Sequence, residues 1–378
     1  MASRSAPGAV PAYPLDFGSI RSYIEFRFTL LDAYVDVSGI PTFIVAQQHI
    51  RDKFPELLHD LANYDLTARV RKISDKLVVS VFPRPKQSSP RKIINVLLFL
   101  ATIGTVSVAS YSLVFGMNPD LMRMLYTGAD LRTQVLALAI SILAIVGVHE
   151  MGHIMAARYH KMDATLPYFV PAPPPFPFGT FGAVISLRSS PANRDQLFDI
   201  GFSGPIAGFL ATVAVGVLML VTAPIITREQ AQALMASKLL AEASWPNVPL
   251  LVELLDWAGL RAVPYGHVLV LANVFFAVQV GALITFLNVL PVWQLDGGHI
   301  SRAAFGRGGH KLAALIGFGI LFLAGYWGFA VLLLVFMFSS RRPFEGVEPL
   351  DDVSPLSDSR KALFLLTLVM LVLSFVIF

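Results

Sequence analysis

Hydrophobic and polar positions are distributed so unevenly along this chain that the pattern divides it. Over residues 1–90 the pattern changes every few positions. Ile40–Val45 is a short apolar run of strand type. His49–Leu61 places Ile50, Phe54, Leu57, Leu58 and Leu61 at helical spacing, which gives a helix one apolar face. Leu66–Ile73 and Lys76–Phe82 alternate apolar and polar residues, as half-buried strands do, with Ser74-Asp75 as a turn between them. These runs predict a small soluble α+β domain of β-α-β-β order. Pro83–Pro90 (PRPKQSSP) reads as its linker to the rest.

Beyond residue 90 the alternation stops and long apolar runs take over. They are Ile93–Gly116, Thr133–Ala157, Phe202–Ile226, Val268–Leu295, Leu312–Ser339 and Ala362–Phe378. Most exceed the roughly 20 residues needed to cross about 30 Å of hydrocarbon, although the last barely reaches. Tyr168–Arg194 holds Pro171, Pro173, Pro174, Pro175 and Pro177, then Phe178-Gly-Thr-Phe-Gly182, then a strand-like run at Ala183–Leu187. It predicts a surface loop, or a hairpin that dips into the membrane where protein covers it. Arg228–Pro264 has two weakly amphipathic helical stretches. The expected fold class is therefore membrane all-α: a polytopic bundle of about six transmembrane helices over 91–378, a small membrane-associated β region, and the N-terminal α+β domain over 1–90.

Composition agrees. Hydrophobic residues make up 55 % of the chain and charged residues 14 %, against about 25 % charged in soluble domains. An ordinary soluble protein and a disordered one are both excluded. A net charge of +4 is too small to argue for nucleic acid. Cysteine is absent, so disulfides and thiolate ligands are excluded, and any metal must take His, Asp or Glu. Met1–Leu15 lacks the apolar core of a cleaved signal peptide. A slight excess of Lys and Arg at one set of segment ends favours a cytoplasmic N-terminal domain.

The charges that remain inside the apolar runs carry the chemistry. Asp, Glu, Lys and Arg are missing from all but two runs. The second contains Glu150 between His149 and His153, and the fourth ends at Asp296, with His299 just beyond. An ionisable group in a spanning helix costs at least about 2.5–3.5 kcal/mol, so it is a functional-site hypothesis by default. His149-Glu150-Met-Gly-His153 is H-E-x-x-H, and positions i and i+4 share a helix face, so both imidazoles can hold one zinc with Glu150 beside it. A catalytic zinc needs a third protein ligand and an open position. Asp296 is the candidate; the alternative is a carboxylate snorkelling to water or capping a helix. Pro291 and Gly297-Gly298 would break the fourth segment near it. His299 either tunes the site or sits at the interface, and His49, His59, His160, His267 and His310 suit structural or interfacial roles.

H-E-M-G-H at 149–153 together with N-V-L-P-V-W-Q-L-D-G-G at 288–298 resembles the site-2 protease family, the M50-type intramembrane zinc metalloproteases, in its prokaryotic and archaeal-like branch. Phe178–Gly182 and Asp199–Gly208 are similar to it as well. The resemblance covers roughly residues 90–340. It implies one zinc per chain held by His149, His153 and Asp296, with Glu150 as general base. It points to Asn288 as a polar group beside the site, against the alternative of a helix–helix hydrogen bond. It suggests Gly179, Thr180 and Gly182 as part of a strand region that meets an unwound substrate. The implied activity is hydrolysis of peptide bonds in or near transmembrane helices of other membrane proteins, in a lipid bilayer, expected to be a prokaryotic cell membrane. Two other readings use the same residues: a metal-ion transporter, and an inactive scaffold that binds transmembrane helices. Substrate, cut site and oligomeric state are not encoded in any motif.

Overall fold

The computed structural model describes residues 13–47, 49–84, 92–116, 118–126, 130–174, 176–242, 244–340 and 344–377. In chain order the elements are α1 (Phe17–Glu25), β1 (Leu30–Val35), β2 (Pro41–Val45), α2 (Lys53–Ala62), β3 (Leu66–Ile73), β4 (Lys76–Pro83), α3 (Lys92–Gly116), α4 (Pro119–Leu125), α5 (Leu131–Tyr159), β5 (Tyr168–Pro171), β6 (Thr180–Val184), α6 (Arg194–Thr222), β7 (Ile225–Thr227), α7 (Arg228–Ala236), α8 (Leu250–Trp257), β8 (His267–Leu269), α9 (Val274–Val289), α10 (Asp296–Leu323), α11 (Trp327–Ser339) and α12 (Asp358–Leu373).

The first six elements form an antiparallel sheet of order β1-β2-β4-β3 with α1 and α2 packed on it. The alternating residues of β3 and β4 put Leu66, Ala68, Val70, Leu77, Val79 and Val81 inside with Phe54, Leu57 and Leu61 of α2. Ser74 and Asp75 both take positive φ, 47° and 63°, which makes the tight turn the sequence predicts there. The order is α-β-β-α-β-β rather than β-α-β-β. β1 shows no alternation because it lies at the sheet edge with most side chains exposed, and α1 buries only Ile20 and Ile24. The predicted linker falls mostly on residues outside those described, as does Pro175.

The apolar runs become helices, with four differences. α6 begins at Arg194, before the apolar run, because Asn193 caps it by accepting from the Gln196 N–H at 2.9 Å. The fourth run opens as strand β8 and its helix ends at Val289, since Pro291 has no N–H to continue it. Asp296 therefore does not end the fourth helix; it is the first residue of α10, which breaks at Gly306 (φ +68°) and folds back, so that His310 Nδ1 lies 2.8 Å from Ser301 Oγ. Gly297 and Gly298 break nothing. They lie within α10, where a Cβ at either would overlap carbonyl oxygens of Val289 or Trp293, so they let α10 start tightly under the end of α9. The fifth run, Leu312–Ser339, is two helices. α10 stops in a Schellman turn: Gly325 takes φ +83°, the Tyr326 N–H donates to Leu321 O (2.9 Å), and the Gly325 N–H donates to Phe322 O (3.2 Å).

Among the described residues α3, α5 and α6 are long and apolar enough to cross a membrane; α9 and α11 are shorter apolar helices. Tyr168–Arg194 forms the hairpin β5-β6, which rests on α3. The two stretches expected within Arg228–Pro264 are α7 and α8. The end of α5 and the starts of α6 and α12 lie at one end of the bundle, where His160 and Arg360 both pair with Asp199. A strap over 344–357 joins that end to the N-terminal sheet. The Val70 N–H donates to Leu350 O (3.0 Å) and the Asp351 N–H to Ala192 O (2.8 Å). Asp351 thereby bridges both β3 and Asn193.

Candidate metal centre

α5 carries His149, Glu150 and His153 about two to three turns from its end. His149 and Glu150 are only 3 % and 5 % exposed. The helix reaches this burial because three glycines of α6 face it and its neighbour. A Cβ at Gly204 would overlap the His153 ring, one at Gly208 would come within 2.8 Å of His149 Nδ1, and one at Gly201 within 2.7 Å of the Asp296 carbonyl oxygen. Gly152 of α5 reciprocates, since a Cβ there would overlap the Ser203 carbonyl. Spacings of three and four residues put Gly201, Gly204 and Gly208 on one helix face, a signal readable in the sequence as a small-residue packing stripe.

The structure brings His149, His153 and Asp296 together. His149 Nε2 and His153 Nε2 are 3.3 Å apart, and Asp296 Oδ2 is 3.2 Å from the first and 3.3 Å from the second. Ligand atoms about 2.0–2.1 Å from a tetrahedral centre sit roughly 3.3–3.4 Å from one another, so the triangle has the edge length that zinc requires. The tautomer of His153 also suits a metal. Its Nδ1–H donates to the Ile200 carbonyl at 2.8 Å, which leaves Nε2 with a free lone pair. The donor set of two imidazoles and one carboxylate is a catalytic-zinc set with one corner open.

Asn288, at the end of α9, reaches the same place: its Nδ2 is 3.4 Å from His149 Nε2. Glu150 makes no side-chain hydrogen bond among the described residues. The other suggested positions lie on the hairpin. Gly179 presses on α3, where its carbonyl accepts from Thr105 Oγ1 at 2.6 Å. The Thr180 hydroxyl is engaged within the hairpin by Val170 O, Gly182 O and Gly182 N–H. Gly182 has open space where a Cβ would be. His299 turns back on its own helix start, its Nδ1–H donating to Leu295 O at 2.9 Å. His310 is not interfacial: it is fully buried with Nδ1 2.8 Å from Ser301 Oγ.

Sequence comparison adds a family. The profile of Peptidase family M50 matches residues 137–325, half of the chain, and spans both the histidine pair and Asp296. The chain is 32 % identical over 234 residues to "Probable zinc metalloprotease EGY1, chloroplastic" of Arabidopsis thaliana, covering 57 % of this chain and 40 % of that one. It is 28 % identical over 247 residues to "Probable zinc metalloprotease EGY2, chloroplastic" of Oryza sativa subsp. indica, covering 65 % and 43 %. The chain thus spans about two fifths of the length of these curated relatives. With three helices of spanning length and composition, it is an integral membrane protein.

Proposed function

The chain belongs to peptidase family M50, the site-2 protease family, and from that premise we propose that it is an intramembrane zinc metalloprotease. It hydrolyses peptide bonds in or near transmembrane helices of other membrane proteins, which are its partners in the bilayer. The observation that carries this reading is the ligand triangle, with all three edges between 3.2 and 3.3 Å on side chains from two helices.

His149, His153 and Asp296 hold the zinc. When bound, it supplies Lewis acidity, which lowers the pKa of water and polarises the scissile carbonyl. Glu150, adjacent to the first ligand and unpaired, takes the proton of the attacking water and delivers it to the leaving amide nitrogen. Asn288 Nδ2 stands beside His149 Nε2; once that nitrogen's lone pair is on the metal, the amide is free to donate to substrate, at its backbone or at the developing oxyanion. A substrate helix hides its carbonyls, so residues of low helix propensity near the cut favour cleavage. The edge of the β5-β6 hairpin, with Gly182 open beside it, is suited to pair with a substrate unwound to a strand. A transporter has no need of an unpaired Glu150 beside the ligands, which hydrolysis uses.

The domain division is 1–90 and 91–378, with the N-terminal domain at the end of the bundle where α6 begins, Arg51 lying 3.5 Å from Asp195. The placement of residues 1–90 in the cytoplasm of a prokaryotic cell rests on the sequence alone; the relatives' names place them in the chloroplast.

Purified protein incubated with a model transmembrane substrate tests the reading. Wild type cleaves it, and Glu150→Gln does not while retaining the same bound zinc. Equal cleavage by both would remove Glu150 from the chemistry. Full zinc retention in Asp296→Ala would remove the carboxylate from the ligand set.

A further inference from the structure

Asp352, a residue of the strap far from Asp296 in sequence, ties together the two helices on which the metal ligands depend. Its Oδ1 and Oδ2 accept from Arg302 Nη1 at 2.8 Å and Nη2 at 2.7 Å, a two-pronged pair on α10. Its Oδ1 also accepts from Arg194 Nε at 3.2 Å, and its backbone carbonyl from Arg194 Nη2 at 2.8 Å, on α6. Arg302 is completely buried, and its Nε donates to Glu345 O at 3.2 Å. A guanidinium without solvent is fixed by these partners and by nothing else.

The two anchored residues are equally placed with respect to the metal centre. Arg302 lies six residues after the ligand Asp296, and Arg194 six residues before Ile200, whose carbonyl holds the His153 ring. At about 1.5 Å per residue, each arm is roughly 9 Å long. Between the arms α6 and α10 meet backbone to backbone, at Gly201 against the Asp296 carbonyl. Leu197, Phe198, Ile300 and Ala303 pack between the same two helices, and the ion pairs add fixed directions to a contact that is otherwise apolar. A slide of a few tenths of an ångström would spoil a zinc site, whose ligand distances hold within about 0.2 Å.

We propose that Asp352 is a positioning residue of the metal centre: by bridging Arg194 and Arg302 it sets the register of α6 against α10, and so the place of Asp296 beside His153. The strap in turn pairs with β3, and Arg71 donates to Leu350 O (2.9 Å) and Pro349 O (3.1 Å) and pairs with Glu348 (3.3 Å). The N-terminal sheet is therefore connected to metal affinity through Asp352, beside the direct pair of Arg51 with Asp195 of α6 (3.5 Å). This inference rests on the metal-centre reading above.

The full-length protein in detergent, stripped of metal and titrated with Zn²⁺ or Co²⁺ against a competing chelator, provides the test. Asp352→Asn is expected to weaken metal binding about 10- to 100-fold, the range seen when outer partners of ligands are lost. It is also expected to alter the visible absorption of bound Co²⁺, which reports ligand geometry, and to lower kcat more than it raises KM. Asp352→Glu should recover much of the affinity. Asp60→Asn, which breaks the ion pair between Arg27 and Asp60 in the N-terminal domain, should leave metal affinity and the Co²⁺ spectrum unchanged. If Asp352→Asn does not fold, Arg194→Gln removes only the α6 arm and should weaken metal binding in the same direction. His149→Ala separates two kinds of failure. If it loses the metal while Asp352→Asn and Arg194→Gln bind like wild type, the positioning role is overturned and the metal centre stands. If His149→Ala also binds like wild type, the metal-centre reading falls, and the inference with it.

Discussion

His149, His153 and Asp296 each sit against a residue that has no side chain. His149 and His153 announce themselves by spacing, and Asp296 by being an acid among apolar residues; all three were legible. The glycines opposite them were less so, because a glycine in an apolar run looks like ordinary helix filler until a neighbour is known. Gly204 is the sharpest case, since even a methyl group would occupy the volume of the His153 ring. Gly204→Ala should therefore displace that imidazole, break its hydrogen bond to Ile200 O, and abolish both zinc binding and cleavage. Overpacking of this kind costs about 1–3 kcal/mol, so the protein should still fold. Zinc content alongside a melting curve checks this. A variant with normal zinc would mean the ring has room that the packing denies it.

Elements were legible wherever composition alone decides them, and not where the chain must turn inside an apolar run. A bilayer-length stretch of Leu, Ile and Phe carries no periodicity to say that Leu312–Ser339 reverses at Gly325, because a helix apolar all round has no preferred face. For the same reason the boundary between α9 and α10 was misplaced: the glycine pair after Asp296 was read as a break when it is a close contact. The β5-β6 hairpin was one of two readings of Tyr168–Arg194, and its register was not legible, since it depends on α3. Asn95, buried on α3, donates from Nδ2 to Leu166 O at 2.7 Å and to Pro167 O at 3.0 Å, just before β5. Asn95→Leu leaves both carbonyls without that donor, a cost of about 1–3 kcal/mol. Its expected mark is local: faster amide hydrogen exchange over residues 163–187, with α5 and α6 unchanged. Uniform acceleration across the bundle would mean that Asn95 holds the helices together rather than the hairpin.

On the scale of the whole molecule the N-terminal sheet and the bundle share one polar seam, and its charges predict a pH response. Burial alone would raise the Asp352 carboxyl, but the hydrogen bond from Arg302 and the charges of Arg302, Arg194 and Arg71 outweigh it and hold the group below its ordinary value. A carboxylate depressed in the folded state contributes stability above its unfolded pKa, about 3.9, and loses it as pH falls through the folded value. The melting temperature of wild type should thus drop on acidification below roughly pH 4 more steeply than that of Asp352→Asn, which lacks the titrating group. Parallel curves would show that the seam contributes nothing to acid stability. None of this seam was legible in the sequence, because the strap has neither periodicity nor apolar run, and its bonds from Arg302 and Arg194 to Asp352 and from Arg71 to Leu350 span between 50 and 279 positions. Its place in the chain also sets a timetable. A ribosome delivers α5 with its histidine pair and Glu150 long before Asp296 exists, and Asp296 before Asp352. Through that interval the nascent helix holds an acid in the bilayer with neither its third ligand nor the clamp. On the ligand set proposed above, metal loading has to wait until Asp296 and then Asp352 have followed α5 out of the ribosome.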